Sequence, residues 1–228
     1  MTGASVVGLI AFVVALSLLA WPLGGYLARV FDGTTRATRV LGPVERLLYR
    51  VGGVDRDEDM PWPRYATAVV VFNLAGVVVV YLLQRLQGSL PGNPNDLHAV
   101  PAPVAWNTAV SFVTNTNWQA YGGETTMSHL VAALALTVQN FVSAATGIAV
   151  LVALVRGFSR AEVKGIGNFW VDLTRSTLYI LLPLSLALAL LLVGQGVVQT
   201  FDGAAAAATL EGGTQTIALD RKSTRLNS

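Results

Sequence analysis

The sequence predicts an all-α polytopic membrane protein, with four transmembrane helices plus one re-entrant pore helix and its filter-like loop. Three observations predict it. The 228-residue chain is 53% hydrophobic and only 12% charged, against about 25% charged residues in a soluble domain, and its mean hydropathy is +0.56. Its apolar residues gather into four runs near or above the roughly 20 residues that a membrane crossing needs. Between the second and third runs lies a shorter apolar helix that ends in the polar run Thr114-Asn115-Thr116-Asn117.

Composition also excludes function classes. A net charge of +2 gives no basis for nucleic-acid binding. With no cysteine and two histidines, thiolate metal sites are impossible and a His-rich metal site is not expected.

The first run is apolar from Ser5 and continues through Trp21-Pro22-Leu23. No Lys or Arg precedes Arg29, so the basic start of a signal peptide is missing and residues 1–28 are assigned as the first transmembrane helix. Residues 29–64 form an arginine-rich loop. Within it Val44, Leu47, Leu48 and Val51 recur at helical spacing, which predicts a short amphipathic helix at the membrane surface or on a partner, ended by Gly52-Gly53. The acids Asp55, Asp57, Glu58 and Asp59 are interrupted by Arg56 and fit no calcium-loop spacing, so they read as a solvated loop. Trp62, between two prolines, suits an interfacial anchor.

Residues 65–156 hold a helix–loop–helix unit: a second span from 65 to about 86, a re-entrant loop at 103–119, and a third span from about 127 to 155. Residues 157–172 form a second basic loop. The last span occupies 173–195, with Pro183 a candidate kink. Asp172 and Arg175, three apart at its start, could pair. Residues 196–228 form an outer segment. All spans are helical because an isolated strand leaves its backbone groups unsatisfied in lipid.

The basic residues set the orientation. Arg29, Arg36, Arg39, Arg46, Arg50, Arg56 and Arg64 crowd the first loop, and Arg156, Arg160 and Lys164 the third, while Gln87 to Thr126 holds no Lys or Arg. The positive-inside rule places both basic loops in the cytoplasm and the N-terminus outside.

Pro103 suits the first turn of a helix, and Trp106, Ala109, Val110 and Val113 give that helix an apolar face. At ~1.5 Å per residue it is about 16 Å long, roughly half a bilayer. Its negative dipole end points at Thr114, Asn115, Thr116 and Asn117. These supply carbonyls, hydroxyls and amide oxygens without charge, which suits a large monovalent cation such as potassium; calcium or magnesium calls for carboxylates. Irregular backbone at membrane depth survives only inside protein or beside a wet cavity. The alternative is a plain surface turn, for which Asn and Thr are also favoured. Gln119 flanks the run. Glu124 suits the outer mouth, either concentrating cations or capping the third span. Gln139 and Asn140 either face the ion path or make interhelical hydrogen bonds, worth roughly 1 kcal/mol each, among the small residues Ser143, Ala144, Ala145, Gly147 and Ala149.

A resemblance bears on these residues. The run from Asn107 to Gln119, then Tyr121 and Gly123-Glu124-Thr125-Thr126, resembles the potassium-binding A subunits of the Kdp potassium-transporting ATPase. So do Leu136-Thr137-Val138-Gln139-Asn140-Phe141, Gly147-Ile148-Ala149-Val150 and Asn168-Phe169-Trp170-Val171-Asp172-Leu173. The resemblance implies a member of the potassium transporter superfamily, built from four helix–pore loop–helix repeats around one filter. It implies that Thr114, Asn115, Thr116 and Asn117 form the first filter strand, with Gln119 just outside. It further implies a subunit of the bacterial inner membrane that binds potassium ion from the periplasm and passes it to a B subunit, a P-type ATPase that binds the ATP. Small C and F subunits complete that complex, and this chain itself carries no catalytic residue and no organic cofactor. A non-conducting assembly subunit and a passive potassium channel are the alternatives. Such subunits are over twice as long, a second filter loop is expected soon after Leu219, and the tail 220–228 resembles nothing in the family. The sequence is therefore expected to be an N-terminal fragment with a non-native tail.

Overall fold

In the computed structural model, residues 3–159, 165–197, 205–208 and 212–217 are described. The tail at 220–228, and Arg160 and Lys164 of the second basic loop, lie outside the described residues.

Helix α1 spans Gly3–Phe31 and passes the boundary expected at residue 28. Helix α2, Thr38–Gly52, is the short helix expected in the first basic loop, and Gly53 ends it in the left-handed conformation, φ 63°. Helix α3 spans Trp62–Leu86, opening with Pro63 in its first turn. Helix α4, Ala102–Val113, is the half-length helix. After the short turn of helix α5, Gly123–Thr126, the third span begins as a π-helical segment, Val131–Thr137, and continues as α6, Val138–Ser159. The fourth is α7, Phe169–Arg175, a second π-helical segment, Ser176–Leu181, and α8, Leu182–Gly194. The four long apolar helices expected from the sequence are all present, and the chain is a multi-pass, helical membrane protein. A two-stranded ribbon, β1 (Ala205–Ala208) against β2 (Thr214–Ile217), follows the fourth long helix, where the sequence suggested no regular structure.

Apolar side chains do not drive helix association in lipid, so close approach depends on small residues and internal polar contacts. On α6, Ala145, Ala149 and Ala153 recur every fourth position and are buried. There the helix meets an aromatic cluster. Phe169 packs edge-on against Tyr65, Phe72 and Trp170, with ring centroids 5.1–5.7 Å apart. Helix α1 is different: its most apolar stretch holds no buried residue, and only at its basic end is Val30 buried, with the Tyr26 hydroxyl donating to the Tyr179 carbonyl at 2.6 Å.

Two ionic clusters fasten the side that carries the basic loops. Asp172 and Arg175 do not form the pair their spacing suggested. Three residues apart on α7, they diverge toward different neighbours. Asp172, 1% exposed in its side chain, takes both arms of Arg156 at 2.6 and 2.9 Å and the Tyr65 hydroxyl at 3.1 Å. Arg175 donates to Glu45 at 3.1 Å and to the Phe31 carbonyl at 2.6 Å. Glu45 also accepts from Tyr49 at 2.7 Å and Tyr179 at 2.5 Å. Helix α2 thus turns Glu45 and Tyr49 inward and leaves Val44, Leu47, Leu48 and Val51 exposed, facing away from the protein. Pro183 lies in the first turn of α8, directly after the π-helical segment Ser176–Leu181.

Candidate functional site: the loop at the end of the half-length helix

Helix α4 is held by the residues around it. Its Ala105, Ala109 and Phe112 pack into one buried cluster with Val80, Val100, Met127, Val131, Ala135 and Leu136. Gln84 of α3 donates to the carbonyls of Val80 and Ala105 at 3.0 and 3.2 Å. Gln87 ties the connections together, donating to the His98 and Thr126 carbonyls at 2.5 and 2.8 Å and accepting the Ser128 amide at 3.1 Å. Helix α4 is therefore walled by α3 on one side and the third span on the other.

The helix ends in a Schellman cap. The Thr116 amide donates to the Ser111 carbonyl at 3.0 Å and the Asn115 amide to the Phe112 carbonyl at 3.3 Å. Asn115 lies in the left-handed region, φ 57°, the position such a cap requires and that Gly or Asn fills at least cost. Asn117, φ 53°, repeats that conformation two residues on. The Asn117 amide also goes to the Ser111 carbonyl, at 3.2 Å.

This geometry sorts donors from acceptors. The amides of residues 114–117 turn back onto carbonyls of α4. The Thr114 hydroxyl donates to the Val110 carbonyl at 2.9 Å and lies 2.6 Å from the Thr116 hydroxyl. None of the carbonyls of Thr114, Asn115, Thr116 and Asn117 accepts a hydrogen bond from the described residues. All four residues are exposed, whereas Ser111, Phe112 and Val113 beneath them are buried. The result is a row of uncharged oxygens at the negative end of a helix dipole, a chemistry that holds a cation and repels an anion.

The other expected residues are placed as follows. Gln119 is half-buried and donates to the Tyr121 carbonyl at 2.7 Å, beside the loop. Glu124 has its backbone in α5, and its side chain lies outside the described residues. Gln139 is buried at 5% exposure, with its amide against the bare Cα of Gly76, where a Cβ would come within 2.9 Å of Oε1. The Asn140 Oδ1 is buried, and neither it nor the Gln139 Nε2 has a partner among the described residues. One turn further along α6, Ser143 contacts the loop through Asn115 Oδ1 at 3.4 Å.

The family described as "Potassium-transporting ATPase A subunit" matches residues 10–224. A "Potassium-transporting ATPase potassium-binding subunit" of Methylococcus capsulatus is 59% identical over 202 residues, covering 89% of this chain and 34% of the relative. Its namesake in Mesorhizobium japonicum is 57% identical over 212 residues (92% and 37%), and that of Sorangium cellulosum 61% over 194 (85% and 33%).

The chain belongs to the potassium-transporting ATPase A subunit family. It spans about a third of the length of these curated relatives. Within this family member, sequence reasoning missed two residues that the structure puts at the loop. Ser111 stands in the run from Asn107 to Gln119, but the sequence gives its side chain no role of its own. Ser143 was noted only for its size, although its spacing from Gln139 puts both on one face of α6, and that spacing was the available signal.

Proposed function

We propose that this chain belongs to the potassium-binding and translocating membrane subunit of an ATP-driven uptake pump. Residues 114–117 form one strand of its selectivity filter, carried on a re-entrant half-helix. The observation that carries the proposal is the row of four carbonyls with no internal donor, at the dipole-negative end of a helix too short to cross the membrane. A potassium ion shed of water needs such neutral oxygens. The open face of the loop suits one strand of a filter shared with further strands.

The topology follows the positive-inside rule: N-terminus outside, basic loops in the cytoplasm of a bacterial inner membrane, residues 65–156 as the first pore-loop repeat and 173–195 as the opening helix of a second. The ion enters from the periplasmic side and passes to a B-type ATPase subunit, which binds ATP, with C and F subunits completing the complex. This chain supplies ion ligands and no catalytic group. Gln119 and Glu124 flank the filter, and Gln139 and Asn140 line or pack the path.

Replacing Asn117 or Gln119 by Ala in the full-length subunit, assembled in its complex, tests this. The apparent potassium affinity of ATP hydrolysis shifts if the loop is the filter. An unchanged affinity favours a non-conducting assembly subunit instead. Flux that persists without ATP favours a passive channel.

A further inference from the structure

Ser111 meets the loop with both of its oxygens. It lies in the last turn of α4 and is 5% exposed. Its carbonyl accepts the amides of Thr116 and Asn117 at 3.0 and 3.2 Å, and the Thr116 hydroxyl at 3.2 Å. Its own hydroxyl donates across the loop to the Trp118 carbonyl at 2.9 Å.

That last bond is unusual for a helical serine. The ordinary choice is the carbonyl four residues back, and the neighbouring Thr114 makes it, to Val110. Ser111 instead reaches forward over seven residues. A buried hydroxyl seeks an acceptor, and the acceptor here is the first carbonyl after the open row. The carbonyls of residues 114–117 accept nothing from the described residues, while that of Trp118 is drawn inward.

We propose that Ser111 is a positioning residue for the ion-binding loop. Its hydroxyl fixes where the row of outward carbonyls ends and holds the Trp118–Gln119 peptide off the ion path. This rests on the filter reading of residues 114–117. Without the hydroxyl, the Trp118 carbonyl is free to turn outward and Gln119 loses its register. The number and spacing of oxygens offered to the ion then vary, which weakens binding and blurs the choice between ions of different radius.

The experiment uses the full-length subunit in its assembled complex, with ATP hydrolysis and uptake measured against potassium, rubidium and sodium. S111A is expected to raise the apparent KM for potassium about tenfold, the loss of roughly one buried hydrogen bond. Expected with it are a kcat within twofold and a smaller preference for potassium over rubidium and sodium. S111T, which keeps the hydroxyl, is expected to restore the preference. S111C, similar in volume and a weak donor, is expected to fall between. An unchanged KM and ion preference in S111A, while N117A shifts both, overturns the role of Ser111 and leaves the filter standing. No shift in either variant overturns the filter together with it. Loss of the assembled complex in both S111A and S111C also overturns the proposal, because a group that only positions the loop leaves the scaffold intact.

Discussion

Asn115 separates backbone conformation from ligand chemistry. Its φ of 57° is a left-handed value, which costs an ordinary L-residue roughly 1–2 kcal/mol and glycine nothing. Among the described residues its side chain makes one hydrogen bond, from Ser143 at 3.4 Å, too long to be strong. The structure therefore assigns most of the value of Asn115 to the cap it completes. N115G is expected to keep the cap and leave the potassium KM within about threefold of the parent. N115V places a β-branched residue where φ is positive, so the strain either stays or unwinds the cap. If all of it falls on the ion-bound state, 1–2 kcal/mol weakens affinity by a factor of about 5–30. N115A is expected between the two. The assay is potassium-stimulated ATP hydrolysis of the assembled complex, with co-purification of the subunits confirming assembly. If N115G is as damaging as N115V, the amide oxygen is the working group and the cap account fails. If N115V is harmless, the left-handed turn has no bearing on binding.

Two further predictions concern the basic side. D172A leaves the Arg156 guanidinium, 16% exposed, without its carboxylate, and R156M leaves Asp172, 1% exposed, with the Tyr65 hydroxyl but no cation to pair with. Each is expected to cost about 3–5 kcal/mol in chemical unfolding of the detergent-solubilised subunit. The double variant is expected to cost much less than the sum, and strict additivity would show that the pair is not coupled. Glu45 governs a pH dependence. Burial works against its charge, but hydrogen bonds from Tyr179, Tyr49 and Arg175 outweigh that and hold its carboxyl below the ordinary value of 4.5. A carboxyl depressed in the fold contributes stability that is complete above its unfolded pKa and is lost as pH falls through the folded value. Melting temperature is expected to decline as pH is lowered from 5 to about 3, and E45Q is expected to be less stable at neutral pH with a shallower decline. An equal decline in E45Q assigns the acid sensitivity elsewhere.

The long helices were legible because membrane crossing imposes a length and an apolar run that few other constraints imitate. The half-length helix was legible for the same reason in reverse, with Pro103 marking its start. What the sequence hid were contacts between residues far apart in the chain. Asp172 and Arg175 looked like partners at helical spacing, but their real partners lie 16 and 130 positions away. The π-helical turns at Val131–Thr137 and Ser176–Leu181 were hidden too, since in apolar spans a period of 4.4 leaves no contrast with 3.6. Asn115 was legible as an oxygen donor, but its cap appears only once the Ser111 and Phe112 carbonyls are in place.

The distribution of satisfied and unsatisfied polar groups separates scaffold from site. On the basic side, the carboxylates of Asp172 and Glu45 accept several donors each, and helix α7 fastens α3 and α6 to α1 and α2 through adjacent turns. Around the half-length helix the pattern reverses. Gln84 Oε1, Gln139 Nε2 and Asn140 Oδ1 are buried without partners among the described residues, and four loop carbonyls stand open. A buried polar atom without a partner costs roughly 1–3 kcal/mol. Such a cost concentrated on helices α3 and α6, next to a π-helical turn, marks a place where the fold gives up stability. Oxygens already bonded by the protein have little to offer a dehydrated ion. The loop carbonyls left open here stand on a helix held by buried packing on both flanks, which supports the proposed filter.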